Sequence, residues 1–129
     1  MTTELRLLGA AVVIGLVQIF WAAYEARRQQ GLKWAGGTLD EPRPVTGRAG
    51  RLQRAFANFQ ETFPLFAAAL LAAHVGDRLG PLTLWGAWLY VLGRAAHAPL
   101  YAFPVGLLRT VAFFASVTGL VLVILALFI

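Results

Sequence analysis

Residues 51–73 read RLQRAFANFQETFPLFAAALLAA, a polar stripe that runs into an apolar segment. The stripe consists of four side chains at successive spacings of 3, 4 and 3: Arg51, Arg54, Asn58 and Glu61. At about 100° per residue they fall on one face of a helix, within an arc of about 80°. Each charged residue at the centre of a bilayer costs about 2.5–3.5 kcal/mol unless it is paired or wetted. The stripe is therefore expected to face partners, water or a ligand.

The composition is that of a membrane protein. Of the 129 residues, 59% are hydrophobic and 13% are charged, against about 25% charged residues in ordinary soluble domains. A soluble core of this size could not bury so much apolar surface, so we expect an integral membrane protein in contact with the lipid bilayer. The chain lacks cysteine, which excludes disulfides and cysteine-based metal sites. The net charge of +5 comes from basic residues beside apolar segments, which favours lipid headgroups over nucleic acid as partners.

Four apolar segments predict an all-α fold, a bundle of four membrane helices in a single domain over residues 1–129. The predicted bounds are about 5–28, 50–75, 82–101 and 107–128. The last helix is the clearest, because Thr110–Ile129 carries no charge over 20 residues and spans about 30 Å at 1.5 Å per residue. The second and third connections are short, which favours antiparallel, up-and-down neighbours. The first connection, about Gln29–Arg48, contains several glycines and prolines and is expected to be an irregular loop.

The basic residues predict the orientation in the membrane. Nine of them flank or occupy the first and third connections, and two lie on the other side. Because lysine and arginine concentrate in cytoplasmic loops, the first and third connections are expected in the cytoplasm. The chain would then be a multi-pass protein with both termini on the non-cytoplasmic side. Trp85, Trp88 and Tyr90, near the start of the third helix, fit an aromatic belt at the membrane interface.

A second polar face lies on the third predicted helix. Arg94, His97 and Tyr101 are spaced by 3 and 4 residues and share an arc of about 60°. Arg109 opens the fourth helix, and the topology places these groups in the same half of the bundle as the stripe. Guanidinium groups suit carboxylates and a lone carboxylate suits an ammonium, so a shared polar cavity would hold a small zwitterion with more than one carboxylate. The two histidines lie far apart in sequence, and no metal site is expected.

The two motifs resemble the signature of the MAPEG family, the membrane-associated proteins in eicosanoid and glutathione metabolism. Within Arg51–Pro64 the pattern R-A-x-x-N-x-x-E-x-x-P is the most specific part, and Gly93–Tyr101 resembles the family's third-helix motif. Arg109 and Thr110 resemble the start of its fourth helix. The chain also resembles a bacterial-type microsomal glutathione transferase of this family, and the resemblance covers the whole chain. It implies a four-helix subunit in a homotrimer, with glutathione bound as co-substrate between neighbouring subunits.

The resemblance also implies a role for each site residue. Arg109 would stand near the glutathione sulfur and stabilise the thiolate, which is the reactive nucleophile, with Tyr101 or Thr110 as a supporting donor. The residues implied to contact glutathione are Arg54, Asn58, Glu61, Arg94, His97 and Tyr101. Arg51 is grouped with this binding set, and Arg27, or alternatively Arg28, would add a contact from the end of the first helix.

Three functions are compatible with these residues. The first is an enzyme, a membrane-bound glutathione-dependent transferase or peroxidase that delivers the sulfur to a lipophilic small molecule arriving through the bilayer. The second is a small proton-coupled multidrug transporter with Glu61 as its cation site, which the surrounding arginines disfavour. The third is a non-catalytic membrane scaffold, in which the polar faces serve only as trimer contacts.

Overall fold

The computed structural model describes all 129 residues and consists of helices and their connections, without strands. Five helices follow one another along the chain: α1 Thr3–Gln30, α2 Leu32–Ala35, α3 Gly47–Val75, α4 Pro81–Ala102 and α5 Gly106–Phe128. The four long helices correspond to the predicted segments and extend them slightly at their ends. The predicted count of four omits α2, a single turn within the connection between α1 and α3.

Local signals set several of the helix ends. Thr2 caps α1, because its Oγ1 accepts a hydrogen bond from the N–H of Leu5 at 3.2 Å. Gly31 ends α1 with a φ of 91°, a left-handed conformation that glycine adopts without a steric penalty. At the start of α4 the N–H of Gly80 donates to Thr83 Oγ1 at 2.8 Å. The chain therefore enters α1 and α4 through hydrogen bonds that its own small polar side chains supply.

The apolar core lies in the half of the bundle near the chain termini. Its large members come from all four long helices and include Leu7, Phe66, Leu70, Tyr90, Leu120 and Val123. Tyr90 is fully buried, its ring stacks on Phe66 with centroids 4.0 Å apart, and its hydroxyl lies 3.0 Å from Thr62 Oγ1. The prediction that Tyr90 lies in the aromatic belt was wrong. Its hydroxyl has a hydrogen-bond partner inside the core, so the ring can be buried away from interfacial water. Trp85 and Trp88 are exposed.

Helices α4 and α5 pack with their backbones in close contact. Gly86 and Gly119 face each other across this seam, and a side-chain carbon on either one would overlap the carbonyl oxygen of the other. A carbon on Gly93 would come within 2.9 Å of the Ala112 carbonyl oxygen and the Ser116 nitrogen. Small residues allow apolar helices to approach closely in this way, so that packing of the backbones stabilises the pair.

The surface of the bundle is apolar along its length. Helices α1 and α5 are long and apolar enough to span a membrane. Large side chains are exposed along them, among them Val13, Phe20, Phe114 and Val121. Contiguous apolar surface of this kind is rare on soluble monomers, which supports a membrane protein. Helices α3 and α4 do not meet the same criterion of length and hydropathy, so four membrane crossings remain a prediction.

The connection between α1 and α3 folds back onto the end of α1. Gln29 Nε2 donates to the carbonyl of Thr46 at 2.7 Å, and Gln29 Oε1 accepts from the Thr46 N–H at 3.0 Å. A second reciprocal pair joins Gln30 and Arg43, with both hydrogen bonds at 2.7 Å. Apart from α2, the connection is irregular as expected, but these two pairs give it a defined path.

Candidate functional site

Arg94 and Asn58, one from each polar motif, meet inside the bundle. Arg94 lies on α4 with none of its surface exposed, and its Nη1 donates a hydrogen bond to Asn58 Oδ1 on α3 at 2.7 Å. The guanidinium also lies over the ring of Phe59, 5.6 Å from its centre. No carboxylate of the chain forms an ion pair with Arg94. Because Arg94 is fully buried, it has no surface for a direct ligand contact in the single chain. It instead holds the Asn58 side chain through a hydrogen bond from inside the bundle.

Tyr101 brings three helices together at the end of α4. The Cζ of Arg109, from α5, lies 4.6 Å from the centre of the Tyr101 ring, and the Cζ of Arg54, from α3, lies 5.9 Å from it. Cations at such distances are attracted to the π electrons of the ring. His97, one turn earlier on α4 and nearly fully buried, presents an edge to the same ring with centroids 5.6 Å apart. We call this group the polar cluster: Arg54, Asn58, Arg94, His97, Tyr101 and Arg109.

Arg51 ties the beginning of α3 to the end of α4. Its Nε donates to the carbonyl of Ala102, the last residue of α4, at 3.1 Å. The last carbonyls of a helix have no partner within the helix, so this guanidinium satisfies one of them. The contact gives Arg51 a structural role next to Tyr101.

The outer side of the polar cluster is open in the single chain. Arg54 and Glu61 are exposed, and Glu61 takes part in no ion pair. The sequence predicted a shared polar cavity for the two polar faces. The structure brings the two faces together, but Arg54 and Glu61 are exposed. The polar groups therefore do not enclose a cavity in the single chain.

The two arginines at the end of α1 lie outside this cluster. Arg27 is exposed and donates to Gln30 Oε1 on its own helix at 2.6 Å. Arg28 lies 3.9 Å from Glu25 and over the ring of Tyr24, 5.6 Å from its centre. No hydrogen bond or ion pair joins either arginine to the polar cluster within the chain.

Gln18 is a buried polar residue that the sequence analysis missed. It lies in the middle of α1 with 3% of its surface exposed, and neither its Nε2 nor its Oε1 has a hydrogen-bond partner. The signal was present, because Gln18 is the one amide or charged side chain between Leu7 and Ala23. A polar residue inside an apolar span is a candidate for function by default.

Comparison with known protein families decides the relationship that the motifs suggested. A model of the MAPEG family matches residues 7–129, nearly the whole chain. The chain belongs to the MAPEG family. The match confirms the resemblance and includes both polar motifs. Membership makes this a membrane protein and suggests a role in eicosanoid or glutathione metabolism. No curated protein sequence and no solved structure matches this MAPEG chain.

Proposed function

We propose that this MAPEG protein is a membrane-bound glutathione transferase or peroxidase that activates the glutathione thiolate toward a lipophilic acceptor. The observation that carries the proposal is the convergence of three helices on Tyr101, with Arg109 at 4.6 Å and Arg54 at 5.9 Å. The hydrogen bond between Arg94 and Asn58 belongs to the same cluster. Guanidinium, amide and phenol groups in one place suit a tripeptide with two carboxylates, an ammonium and a thiol.

The charges near the cluster match those of glutathione. The guanidinium groups of the polar cluster form no ion pair within the chain. Glu61, the single carboxylate of the stripe, forms none either. The two glutathione carboxylates would pair with guanidinium groups, of which Arg54 is exposed. Glu61 would hold the ammonium. Asn58 accepts from Arg94 through Oδ1, which leaves its amide N–H groups to donate to a peptide carbonyl.

Arg109 is the residue proposed to stabilise the thiolate. It is half-buried at the start of α5, beside the Tyr101 ring, where its charge acts through a medium of lower dielectric constant than water. The thiol proton passes to water, and the thiolate attacks the acceptor. In a transfer the new carbon–sulfur bond forms as the leaving group departs or a strained ring opens. The Tyr101 hydroxyl would support the thiolate as a second donor.

We infer that a neighbouring copy completes the open side, in a homotrimer with glutathione between subunits. The support is that Arg54 and Glu61 are exposed on a helix that continues into apolar surface. A charged side chain facing lipid costs about 2.5–3.5 kcal/mol at mid-membrane, and a second copy that covers the pair would remove this cost. The proposed topology has four membrane crossings, with the polar cluster in the cytoplasmic half and both termini on the other side.

A glutathione titration of the purified protein in detergent tests this function. The ultraviolet absorbance of the thiolate is followed as glutathione is added, at a pH at which free glutathione is mostly thiol. We expect a saturable rise in thiolate absorbance and turnover with a generic electrophile. The absence of both saturable binding and conjugation would contradict the proposal.

Two arginine variants form a matched pair for the same assay. Arg109→Ala is expected to lose the thiolate absorbance and to lower turnover about 100-fold, as for the loss of one group that stabilises a catalytic anion. Arg78→Ala removes a basic residue from the short connection before α4, away from the polar cluster, and is expected to behave like the unmodified protein. Equal losses in both variants would contradict the role of Arg109.

A further inference from the structure

Three arginines near the start of α3 contact three successive residues at the end of α4. In order along α3, the contacts are Arg48 with Phe103, Arg51 with Ala102 and Arg54 with Tyr101. The spacing of three residues places the arginines along one side of α3. The outermost contact is close, because the Cζ of Arg48 lies 4.7 Å from the centre of the Phe103 ring. The row of arginines therefore continues beyond the polar cluster to the connection between α4 and α5.

Helix α1 holds both members of the outermost contact. Glu25 Oε1 lies 3.7 Å from Arg48 Nη1, and its other oxygen lies 3.9 Å from Arg28. The Glu25 side chain is only 13% exposed, so water screens its attraction to Arg48 less than on an open surface. The Phe103 ring also contacts α1, with its centroid 6.2 Å from that of Trp21. Phe103 is therefore held from two sides, by α3 and by α1.

The connection that contains Phe103 separates two residues of the polar cluster. It consists of residues 103–105, between the end of α4 and the beginning of α5. Tyr101 lies just before it and Arg109 just after it, and the Cζ of Arg109 is 4.6 Å from the centre of the Tyr101 ring. A shift of Phe103 would move the beginning of α5 and Arg109 with it. The geometry of the Arg109 contact therefore depends on what holds Phe103.

We propose that Arg48 is a positioning residue: by holding Phe103, it keeps Arg109 at the place where the thiolate is stabilised. Glu25 fixes Arg48 for this role. The inference rests on the proposed function, in which Arg109 stabilises the glutathione thiolate. An ion pair near the surface contributes little to stability, but a catalytic group displaced by about 1 Å can lower a rate about 100-fold. The contact is therefore expected to affect the reaction more than the fold.

The thiolate titration and steady-state kinetics test this role with Arg48→Met, which keeps an apolar stem and removes the guanidinium. A displaced Arg109 stabilises the anion less, so thiolate absorbance should appear at a pH higher by about one unit. We expect kcat to fall about tenfold. The KM for glutathione should change less than about twofold, because the groups proposed to bind its carboxylates and ammonium are unaltered.

Arg43→Met is the matched control. Arg43 also lies near a carboxylate and an aromatic ring, 3.9 Å from Glu41 and 5.8 Å from the centre of the Trp34 ring. Its hydrogen bonds, ion pair and ring contact all lie within residues 30–43. Arg43→Met is expected to leave the pH profile and kcat as in the unmodified protein.

Two further variants separate positioning from a general loss of packing. Arg48→Lys keeps a cation between Glu25 and the Phe103 ring and is expected to recover most of the lost kcat. Phe103→Leu removes the ring and should change the pH profile and kcat in the same direction as Arg48→Met. The double variant should be no worse than the more affected single variant, because both changes act through one contact. Phe103→Leu also keeps the test open if Arg48→Met fails to fold.

Hydrogen exchange without glutathione tests the connection independently of the proposed function. Two of its amides are bonded to α4, from the Phe103 N–H to the Pro99 carbonyl at 2.9 Å and from the Val105 N–H to the Leu100 carbonyl at 3.1 Å. Arg48→Met is expected to exchange these amides about tenfold faster, and Arg43→Met at the unmodified rate.

The inference is overturned if the unmodified protein ionises bound glutathione and both Arg48→Met and Phe103→Leu do so at the same pH and rate. Faster exchange with an unchanged pH profile also overturns it, because the contact would then be structural only. Unchanged exchange in Arg48→Met overturns it as well, because the connection would not depend on the contact. If the unmodified protein binds no glutathione, the proposed function fails, and the role of Arg48 in stabilising the thiolate fails with it.

Discussion

The seam between α4 and α5 and the polar face of α3 show opposite ways of using a helix surface. At the seam, Gly86 and Gly119 allow the backbones of α4 and α5 to touch, so both sides of the contact come from the same chain. On α3, Arg54 and Glu61 are exposed and Glu61 has no ion pair. The seam is complete in one chain, whereas on the proposed function the polar face is completed by glutathione and a second copy. Changes at the seam should therefore act on folding, and changes at the outer end of the polar face should act on binding.

The largest expected loss of stability comes from Gly119→Ala at the seam. The added methyl group would overlap the Gly86 carbonyl oxygen and would come within 2.6 Å of the Tyr90 nitrogen. Because backbone cannot move aside as a side chain can, we expect a loss of about 3 kcal/mol in the free energy of unfolding. The measurement is chemical or thermal unfolding in detergent. Gly9→Ala is the control, since a carbon there meets nothing within 4 Å. Similar losses at both positions would show that the seam is not tightly packed.

Asn58→Ala tests the half-buried, inner end of the polar face. It removes the one hydrogen-bond partner that Arg94 has in the chain, so a fully buried guanidinium loses its remaining contact. We expect the free energy of unfolding to fall by about 2 kcal/mol, together with a loss of glutathione binding. If stability were unchanged while glutathione binding disappeared, Asn58 would belong wholly to the ligand site and the division within α3 would have to be redrawn.

The hydrogen bond between Thr62 and Tyr90 provides a smaller effect within the core. The two hydroxyls lie 3.0 Å apart. Tyr90→Phe is expected to lower the free energy of unfolding by about 1 kcal/mol. Thr62→Val and the double variant complete a cycle whose coupling energy isolates this contact. A coupling energy near zero would mean that the two hydroxyls find other partners.

Glu61→Gln should have the smallest effect on folding. Glu61 is exposed and has no ion pair within the chain, so the free energy of unfolding of the detergent-solubilised protein should change by less than about 0.5 kcal/mol. On the proposed function, glutathione affinity falls about tenfold, because a charged contact with the ammonium is lost. Affinity is measured with the thiolate titration. A clear loss of stability with unchanged affinity would instead assign Glu61 to a contact between copies of the chain.

Much of the architecture could be predicted because its signals are local. Long apolar runs located the four long helices, and the spacing of Arg94, His97 and Tyr101 placed three polar side chains on one stretch of α4. The short helix α2 was missed, because one turn of four residues leaves no periodicity to detect. Residue roles in glutathione binding stay predictions. The structure nevertheless brings Arg54 and Arg109 within cation–π distance of the Tyr101 ring.

The positions of the long helices and the family followed from the sequence by itself, because apolar length and motif spacing are properties of one segment at a time. Which partner each polar group meets was decided only by the tertiary structure. The Tyr90 hydroxyl lies within hydrogen-bond distance of Thr62, and Arg94 donates a hydrogen bond to Asn58. The Gln18 side chain has no hydrogen-bond partner. Helical spacing tells which side chains share a face, but the neighbouring helix and the depth of contact depend on how all four long helices pack together.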